Sequence, residues 1–589
     1  MYLKQSISYK NRIYLSFVQG YRDENGKVKT KTIEKIGFLD DLKNKYDDPV
    51  SYFKKLAKEK NNEEIKEITL KNIHTKLIDD SSSRKNLGYC ILKKIYNEIS
   101  LKDLFTSKQK HLGVDYNLNS IFELLIYSRI MYPASKYETY NNKDIFFDKF
   151  DFSLKDLYRS LDNFSSFKDD ILSWVWNNTK DKYNRDTSTT YYDCTNYYFE
   201  ISYNDKDLID EFGNVLEKGY RKKGPSKENR KDPIIGMGLL MDKSGIPLSY
   251  DLFPGNESEK TTLRPILKKT KNHFKIDRTI IVADRGLNTS DNTIFIAHKN
   301  DDKHTNHDGY VYGQSILSSD KDFKDWVLKK DDYISDIIIK NNEEITFIHK
   351  SRIFAKTVQI KKDGKRTNKS NIYQKQMVYY SKKYANKQKY ERDLIIAKAN
   401  DLISNPGKYN KATSYGASAF INNIKYDKKT GLIPDGLELS LDINKIKELE
   451  QFDGYYSIVT SELNMQDIEM RYVYKGLWKI EESFKITKSY LESRPVYVWT
   501  KNHIEAHFLT CFISLVIIRL LEQKTNNNYS PKQLINSLKN YNSINVEYDL
   551  YLQSFRNDII KDLETIYDID LSKKYLTLSN IKNKLNTQN

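Results

Sequence analysis

The chain has 589 residues, 39% of them hydrophobic and 13% aromatic, which by length predicts three or four folded units and by composition a sizeable core. Its 97 Lys and Arg against 80 Asp and Glu leave a net charge of +17, which points to an anionic partner, nucleic acid first, with the composition bias of an AT-rich genome as the alternative source of the excess lysine. Glycine (22) and proline (11) are too scarce for a collagenous or linker-rich chain, and three separated cysteines, Cys90, Cys194 and Cys511, exclude a disulfide framework and a zinc ribbon and fit a reducing cytoplasm.

In chain order, the N-terminal stretch MYLKQSISYKNRIYLSFVQG has no apolar segment of signal-peptide length. The runs RIYLSFVQGYRD and KVKTKTIEKIG flank Glu24-Asn25-Gly26 and read as a β-hairpin. From about Leu42 to Leu161 the apolar period is helical, with Ile121, Leu124, Leu125 and Ser128 on one face of a helix that ends before Pro133. Near Thr187 the period switches to a strand, TTYYDCTNYYFEIS, followed by the basic loop GYRKKGPSKENRKDP and by two apolar strands, IIGMGLLMD and PLSYDLF, joined at Lys243-Ser244-Gly245. A helix (TTLRPILKKTKNHF), a β-branched strand (RTIIVAD) and a second helix near Thr289 come next. Three meandering strands and then a parallel crossover make a mixed α/β sheet. Residues from about Asp301 to Gly454 are polar and strand-like and read as an insertion, because the strand GYYSIVTS and long helices resume after them. The most hydrophobic run, Phe508 to Leu521, contains Arg519 and reads as a buried helix, not as a membrane span.

Three carboxylates stand in unusual surroundings. Asp193 interrupts an apolar-aromatic strand, where an inward charge is costly unless coordinated; an outward-facing strand residue is the alternative. Asp284 closes RTIIVAD at the carboxyl end of a parallel strand, the edge where open α/β sheets place their sites, and an Asp opening a turn or helix reads the same way. Glu481 lies in YVYKGLWKIEESFKITK, where helical spacing puts Tyr474, Leu477 or Trp478, Glu481, Lys485 and Lys488 on one face; a solvated Glu paired with Lys485 is the alternative. Carboxylates converging from separate elements are what metal-assisted phosphoryl chemistry needs, since Mg²⁺ prefers oxygen ligands.

The ordered set YYDCTNYYFE, GPSKENRKDPIIGMGLLMDKSGIPLSYDLFPGN, IIVADRGLNTSDN and YKGLWKIEESFKITKSYLESRPVYVWTKNHIEAH resembles the DDE transposases of bacterial insertion sequences. The likeness is to the branch with a Y-x2-R-x3-E-x6-K signature and a β-strand insertion ahead of its glutamate, and GYRDENGKVKTKTIEKIGF and IFELLIYSRIMYPASKYETY extend it over nearly the whole chain. The resemblance implies an α/β fold with an RNase H-like core, Asp193, Asp284 and Glu481 as catalytic and metal-binding residues, two Mg²⁺ ions (Mn²⁺ as a substitute), and Tyr474 and Lys488 on DNA phosphates. The family's arginine position is Leu477, for which Arg471 or Lys485 could substitute by helix geometry. It further implies cleavage and strand transfer at the terminal inverted repeats of a mobile element, double-stranded DNA of the ends and the target as partner, a homodimer on DNA, and a cytoplasmic, nucleoid-associated protein with no membrane association. The expected regions are a β unit at 1–50, a helical DNA-binding region at 51–180, the core at 181–300 and 454–525, a β-rich insertion at 301–453 and a helical tail at 526–589. A DNA-binding protein descended from a transposase but without catalysis, and a general RNase H-like nuclease, are the rival readings.

Arg221, Lys222, Lys223, Lys227, Arg230 and Lys231 form a basic loop between the first two strands of the presumed catalytic sheet, with Arg221, Lys227 and Arg230 taken as DNA contacts. Lys27, Lys29, Lys31 and Lys35 share strand parity on the hairpin. His503 and His507 are spaced for one helix face, but HIEAH lacks the HExxH order, and packing and capping are preferred to zinc. His304 and His307 fall in a polar loop, and Trp326 and Trp499 are aromatics to test for stacking on a displaced base, with core packing preferred.

Overall fold

The computed structural model describes residues 1–7, 12–22, 28–62, 82–297, 308–340, 343–362, 365–405, 416–422 and 439–586. The Glu24-Asn25-Gly26 turn, Lys27, His304 and His307 lie outside these residues. The chain divides into two compact units, the first made of 1–93, 143–149 and 536–589 and the second of 94–142 and 150–535.

In the first unit, β1 (Tyr2–Ile7), β2 (Ile13–Arg22) and β3 (Val28–Phe38) form an antiparallel sheet in that order. Leu15 and Phe17 from β2 pack against Phe53 and Ala57 of the helix Pro49–Asn62. A register shift between Phe17 and Val18 leaves Ile33 unpaired in β3, and a bulge of this kind reverses the alternation beyond it. Lys35 therefore faces away from Lys29 and Lys31, against the strict parity of the sequence. The unit also holds β4 (Arg84–Asn86), paired with β18 (Asn542–Glu547) in the four-stranded order β20-β19-β18-β4, where β19 is Leu550–Gln553 and β20 is Tyr575–Thr577. The segment expected to be a helical tail thus carries three strands between its helices. Each strand has six residues or fewer, too few to set a clear period, which hides it from a period-based reading.

The second unit is a mixed α/β structure built on a nine-stranded sheet, β12-β13-β14-β17-β11-β10-β5-β8-β9. Its strands are β5 (Thr189–Tyr198), β8 (Ile234–Met241), β9 (Pro247–Pro254), β10 (Ile280–Ala283), β11 (Gly309–Gln314), β12 (Ile334–Lys340), β13 (Glu343–Lys362), β14 (Lys365–Tyr380) and β17 (Tyr455–Thr460). Between β5 and β8 lies a small hairpin, β6 (Leu208–Ile209) and β7 (Val215–Glu217), and before β17 a two-stranded pair, β15 (Ile421–Asn422) and β16 (Ser440–Leu441). β9, β8 and β5 run antiparallel in sequence, and β5, β10 and β11 are parallel. That is the meander and parallel crossover read from the sequence. Every residue of β8 is buried, as a continuous apolar run requires when both sheet faces are covered.

Segment 308–453 is not strands alone. β11 joins the parallel set, the helix Lys321–Leu328 precedes β12, β13 and β14, and the helices Lys382–Ser404 and Ile443–Glu450 follow them. The helix Lys501–Lys524 is apolar nearly all round and, among the described helices, is the one long and apolar enough to cross a membrane; 94% of its apolar window is buried inside the protein, the behaviour of a core helix. Leu118–Met131 is likewise buried on almost every side instead of along one face.

Candidate active site

Asp193 is the one residue of β5 between Thr189 and Tyr197 that is not buried. β5 and β10 are parallel and in register up to Tyr192 beside Ala283, and the next residues, Asp193 within β5 and Asp284 just past β10, follow that last paired rung, close enough for the Asp284 carboxylate to act on Asp193. Both line a cavity of about 740 Å³ that Glu481 also lines. Burial, reinforced by the carboxylates of Glu259 and Asp284, pushes Asp193 up to about 6, against the pull of Lys227 and the Cys194 N–H. Asp284 caps the turn Arg285–Leu287, its Oδ1 accepting from Arg285 N at 2.7 Å and from the Tyr474 hydroxyl at 3.3 Å.

Glu481 is presented by the helix Trp478–Lys485. The sequence reads one continuous helix from Tyr474 to Lys488; the chain instead forms Asp467–Lys475, a tightened turn, Trp478–Lys485 and a π-helical turn, Ile486–Tyr490. The tightening is visible in i→i−3 bonds from Gly476, Leu477, Lys479 and Ile480. It occurs where the backbone meets β5: a Cβ on Gly476 would lie 2.0 Å from Tyr191 Oη. Each departure from 3.6 residues per turn rotates the side chains beyond it about the helix axis. Tyr474, Leu477, Trp478 and Glu481 line the cavity, whereas Lys485 and Lys488 are not among its lining residues, a correction to the single face that helical spacing predicts.

Arg519, which in the sequence only interrupts an apolar run, fastens this helix. Its guanidinium donates to Ser483 Oγ at 2.7 Å, to Glu482 Oε2 at 3.0 Å and to the Lys479 carbonyl at 3.1 Å, while Glu522 is held 2.8 Å away. No helical period could announce that role, because the partners lie 36 to 40 residues away.

The basic residues separate into distinct settings. Lys227 donates to the Cys194 carbonyl, pairs with Glu259 at 3.4 Å and acts on both Asp193 and Lys488. Burial and Lys227 bring Lys488 down to about 8, with Asp193 opposing; its ammonium also lies 3.7 Å from Glu228. Arg230 stacks on Tyr198 at 3.6 Å. Arg221 does not join them. It is only 8% exposed and is paired with Asp205 at 2.6 Å, a partner on the far side of the β6–β7 hairpin that a reading of the basic loop alone overlooks. Lys485 is exposed on its helix. Four cavity-lining cations escaped the sequence reading as site residues or entered it only as substitutes: Arg285, Lys475, Arg392, which is paired with Asp453 at 2.7 Å, and Arg471, stacked on Phe347 at 4.7 Å and Tyr379 at 5.5 Å.

The histidines are structural in their contacts. His507 Nε2 faces the Ser493 carbonyl at 3.1 Å in the core, and His503 pairs with Asp162 at 3.7 Å. Trp326 lies under Arg352 at 4.3 Å, and Trp499, exposed, lies 5.5 Å from Arg221.

Among the described residues, no three His, Cys, Asp or Glu side chains stand close enough together to hold one ion. The aspartate pair is the preformed part, with Glu481 on the wall of the same cavity. The donor set suits a divalent cation: the oxygens are hard ligands, and the cost that burial and neighbouring carboxylates impose on Asp193 is one a cation would relieve.

Gly313, on β11, allows Tyr474 its position: a Cβ there would come within 2.4 Å of Tyr474 Oη and 3.2 Å of Arg285 N. Gly313→Ala is expected to displace the hydroxyl from Asp284 and to lower activity on DNA about tenfold. In a Tyr474→Phe background the same alanine should cost little more, because the clashing oxygen is gone; a full additive loss in the double variant would refute this coupling.

Residues 3–68 match the family described as IS1634 family transposase, N-terminal domain. Residues 214–517, more than half of the chain, match the Transposase DDE domain, a stretch that takes in Asp284 and Glu481 and begins after Asp193. No curated protein matches the chain. Transposase DDE domains act on DNA and use divalent metal ions. With this domain over more than half its length and an insertion-sequence transposase domain ahead of it, the chain belongs to the DDE transposases of insertion sequences.

Proposed function

We propose that this transposase binds the terminal inverted repeats of its own element, cuts the DNA there and joins the ends to target DNA, with Asp193, Asp284 and Glu481 as its catalytic carboxylates. The observation that carries the reading is that Asp193 and Asp284 follow directly on the last paired rung of the parallel strands β5 and β10, in one cavity with Glu481. The strand order β9-β8-β5-β10-β11, two antiparallel and then two parallel steps, supports an RNase H-like core, and β12 to β14 with their helices are the inserted part. The six regions named from the sequence are kept as its functional organisation with two changes, β11 passing from the insertion to the core and the tail carrying strands as well as helices, in a cytoplasmic protein.

Two Mg²⁺ ions, or Mn²⁺ in their place, held by the three carboxylates would activate a water or a 3′-hydroxyl and stabilise the leaving oxygen. The chain's own groups do the rest. Tyr474 donates to Asp284 and fixes the carboxylate that the pair presents. Lys227 and Lys488, near Asp193, offer positive charge to a phosphate entering beside it. Arg471 and Lys475 line the cavity next to Leu477 and supply the cations missing at the signature arginine position. Lys485 and Arg230 are proposed as contacts to the DNA backbone outside the cavity, and two ends held together call for a homodimer on DNA.

A gel shift and a nicking assay on DNA containing the element's ends test the reading. The expected result is a retarded complex, a cut at the end in Mg²⁺ or Mn²⁺, and joined product once target DNA is added. Binding with no cut in either ion would favour the rival DNA-binding protein, which Leu477 at the signature position speaks for, and cutting indifferent to the ends would make the protein a general nuclease.

A further inference from the structure

A second cavity, about 70 Å³, opens between the turn 134–136 and the loop 492–498 and is lined by Arg129, Lys136, Arg494 and His507. Its cations are unusually placed. Lys136 is 4% exposed and Arg129 5%, and neither has a carboxylate partner among the described residues. Arg129 spends its Nη groups on backbone carbonyls, those of Leu491 at 3.1 Å, Glu492 at 3.3 Å and Ala134 at 2.9 Å, and leaves its buried Nε without a hydrogen-bond partner. Arg494, at the edge, is paired with Glu228; Glu492, on the rim, is exposed and pairs with neither buried cation.

Two buried cations without a counter-charge destabilise a fold by several kcal/mol unless something neutralises them. The groups facing Lys136 make this worse. Burial and Arg129 bring its ammonium down to about 7, with only the Cys511 thiol opposing, and burial with Lys136 and Arg129 holds His507 well below the usual imidazole range. The volume admits several waters or one tetrahedral oxyanion, not a nucleoside.

We propose that this cavity is a phosphate site, which takes one tetrahedral oxyanion between Lys136 and Arg129, supplied either by a DNA backbone phosphate or by free phosphate. The site is separate from the carboxylate cavity, and none of its lining residues lines that cavity.

Inorganic phosphate, titrated into the full chain at constant ionic strength with chloride as the control, is expected to raise the unfolding midpoint by several degrees in a saturable manner. Lys136→Met should abolish the response and, in chloride alone, unfold no earlier than wild type, because it removes an uncompensated buried charge. Calorimetry on the wild type provides a readout that depends on no variant. The source is read from a short DNA duplex: if the occupant is a backbone phosphate, Lys136→Met weakens binding, lowers the salt slope by about one, and free phosphate competes with the duplex; if it is free phosphate, duplex binding is unchanged by the variant. No saturable response to phosphate together with unchanged duplex binding in Lys136→Met would overturn the proposal, and neither outcome depends on whether the carboxylates cut DNA.

Discussion

Asp284→Asn is expected to lower cutting at the element ends by about a thousandfold, roughly 4 kcal/mol of transition-state stabilisation, with DNA binding retained. The reason is its place: Asp284 closes β10 beside Asp193, is exposed to the cavity and makes no ion pair among the described residues that its loss would break, so the substitution removes an anionic oxygen ligand and little else. Glu481→Gln should behave alike, since it is exposed on its helix. Asp193→Asn should show the same loss of cutting with a second effect. Burial pushes its carboxyl up to about 6 from the ordinary aspartate value of 3.8. A carboxyl raised in this way binds more protons folded than unfolded, so the metal-free protein loses stability as pH rises from about 4 to about 6. Asparagine removes that slope and should make the metal-free protein more stable at pH 7 by about 3 kcal/mol. Urea melts at pH 4 and pH 7 measure it. Cutting at wild-type rates by any of the three variants would end the assignment.

The aspartates were legible in the sequence for a physical reason: a lone charge in TTYYDCTNYYF and a charge closing RTIIVAD are both expensive in a buried sheet. That they are neighbours was not. It results from the in-register pairing of β5 with β10, and 91 residues separate them (284 − 193). Glu481 was placed by helical spacing; the same spacing did not show that Lys485 and Lys488 leave the cavity wall, Lys488 staying within electrostatic reach of Asp193, because the close passage of Gly476 over Tyr191 and the π turn at Ile486–Tyr490 both depart from an even helix. Arg221 looked free because Asp205, its partner, sits across a hairpin that basic composition conceals. Nothing in PASKYETY marks Lys136; its isolation appears only when the loop 492–498 covers it. Local pattern predicted what one strand or helix decides alone, and failed where a second element sets the geometry.

Arg185→Met is expected to destabilise the second unit by about 3 to 5 kcal/mol, a large fraction of the total stability of a typical domain. Arg185 and Asp242 have side chains 1% and 0% exposed and meet at 2.7 Å. The guanidinium also donates to Thr179 Oγ1 at 3.1 Å and to the carbonyls of Ile246 and Pro247 at 3.1 and 2.7 Å, and Asp242 Oδ1 accepts from Ile246 N at 2.9 Å. One cation therefore ties the entry to β5 to the turn between β8 and β9. Methionine fills much of the volume but strands Asp242 as a buried anion and takes the guanidinium donors from the Ile246 and Pro247 carbonyls, the first of which keeps only its bond from Asp242 N at 3.0 Å, the costly way to break such a pair. The damage should reach the active site, because Lys479, on the helix that presents Glu481, donates to the carbonyl of Lys243 in that same turn at 2.7 Å. A double-mutant cycle separates the charge from the packing: Arg185→Met with Asp242→Leu should cost clearly less than the sum of the two single changes. A urea midpoint for Arg185→Met equal to that of wild type, or strict additivity in the cycle, would show that the pair does not hold this turn.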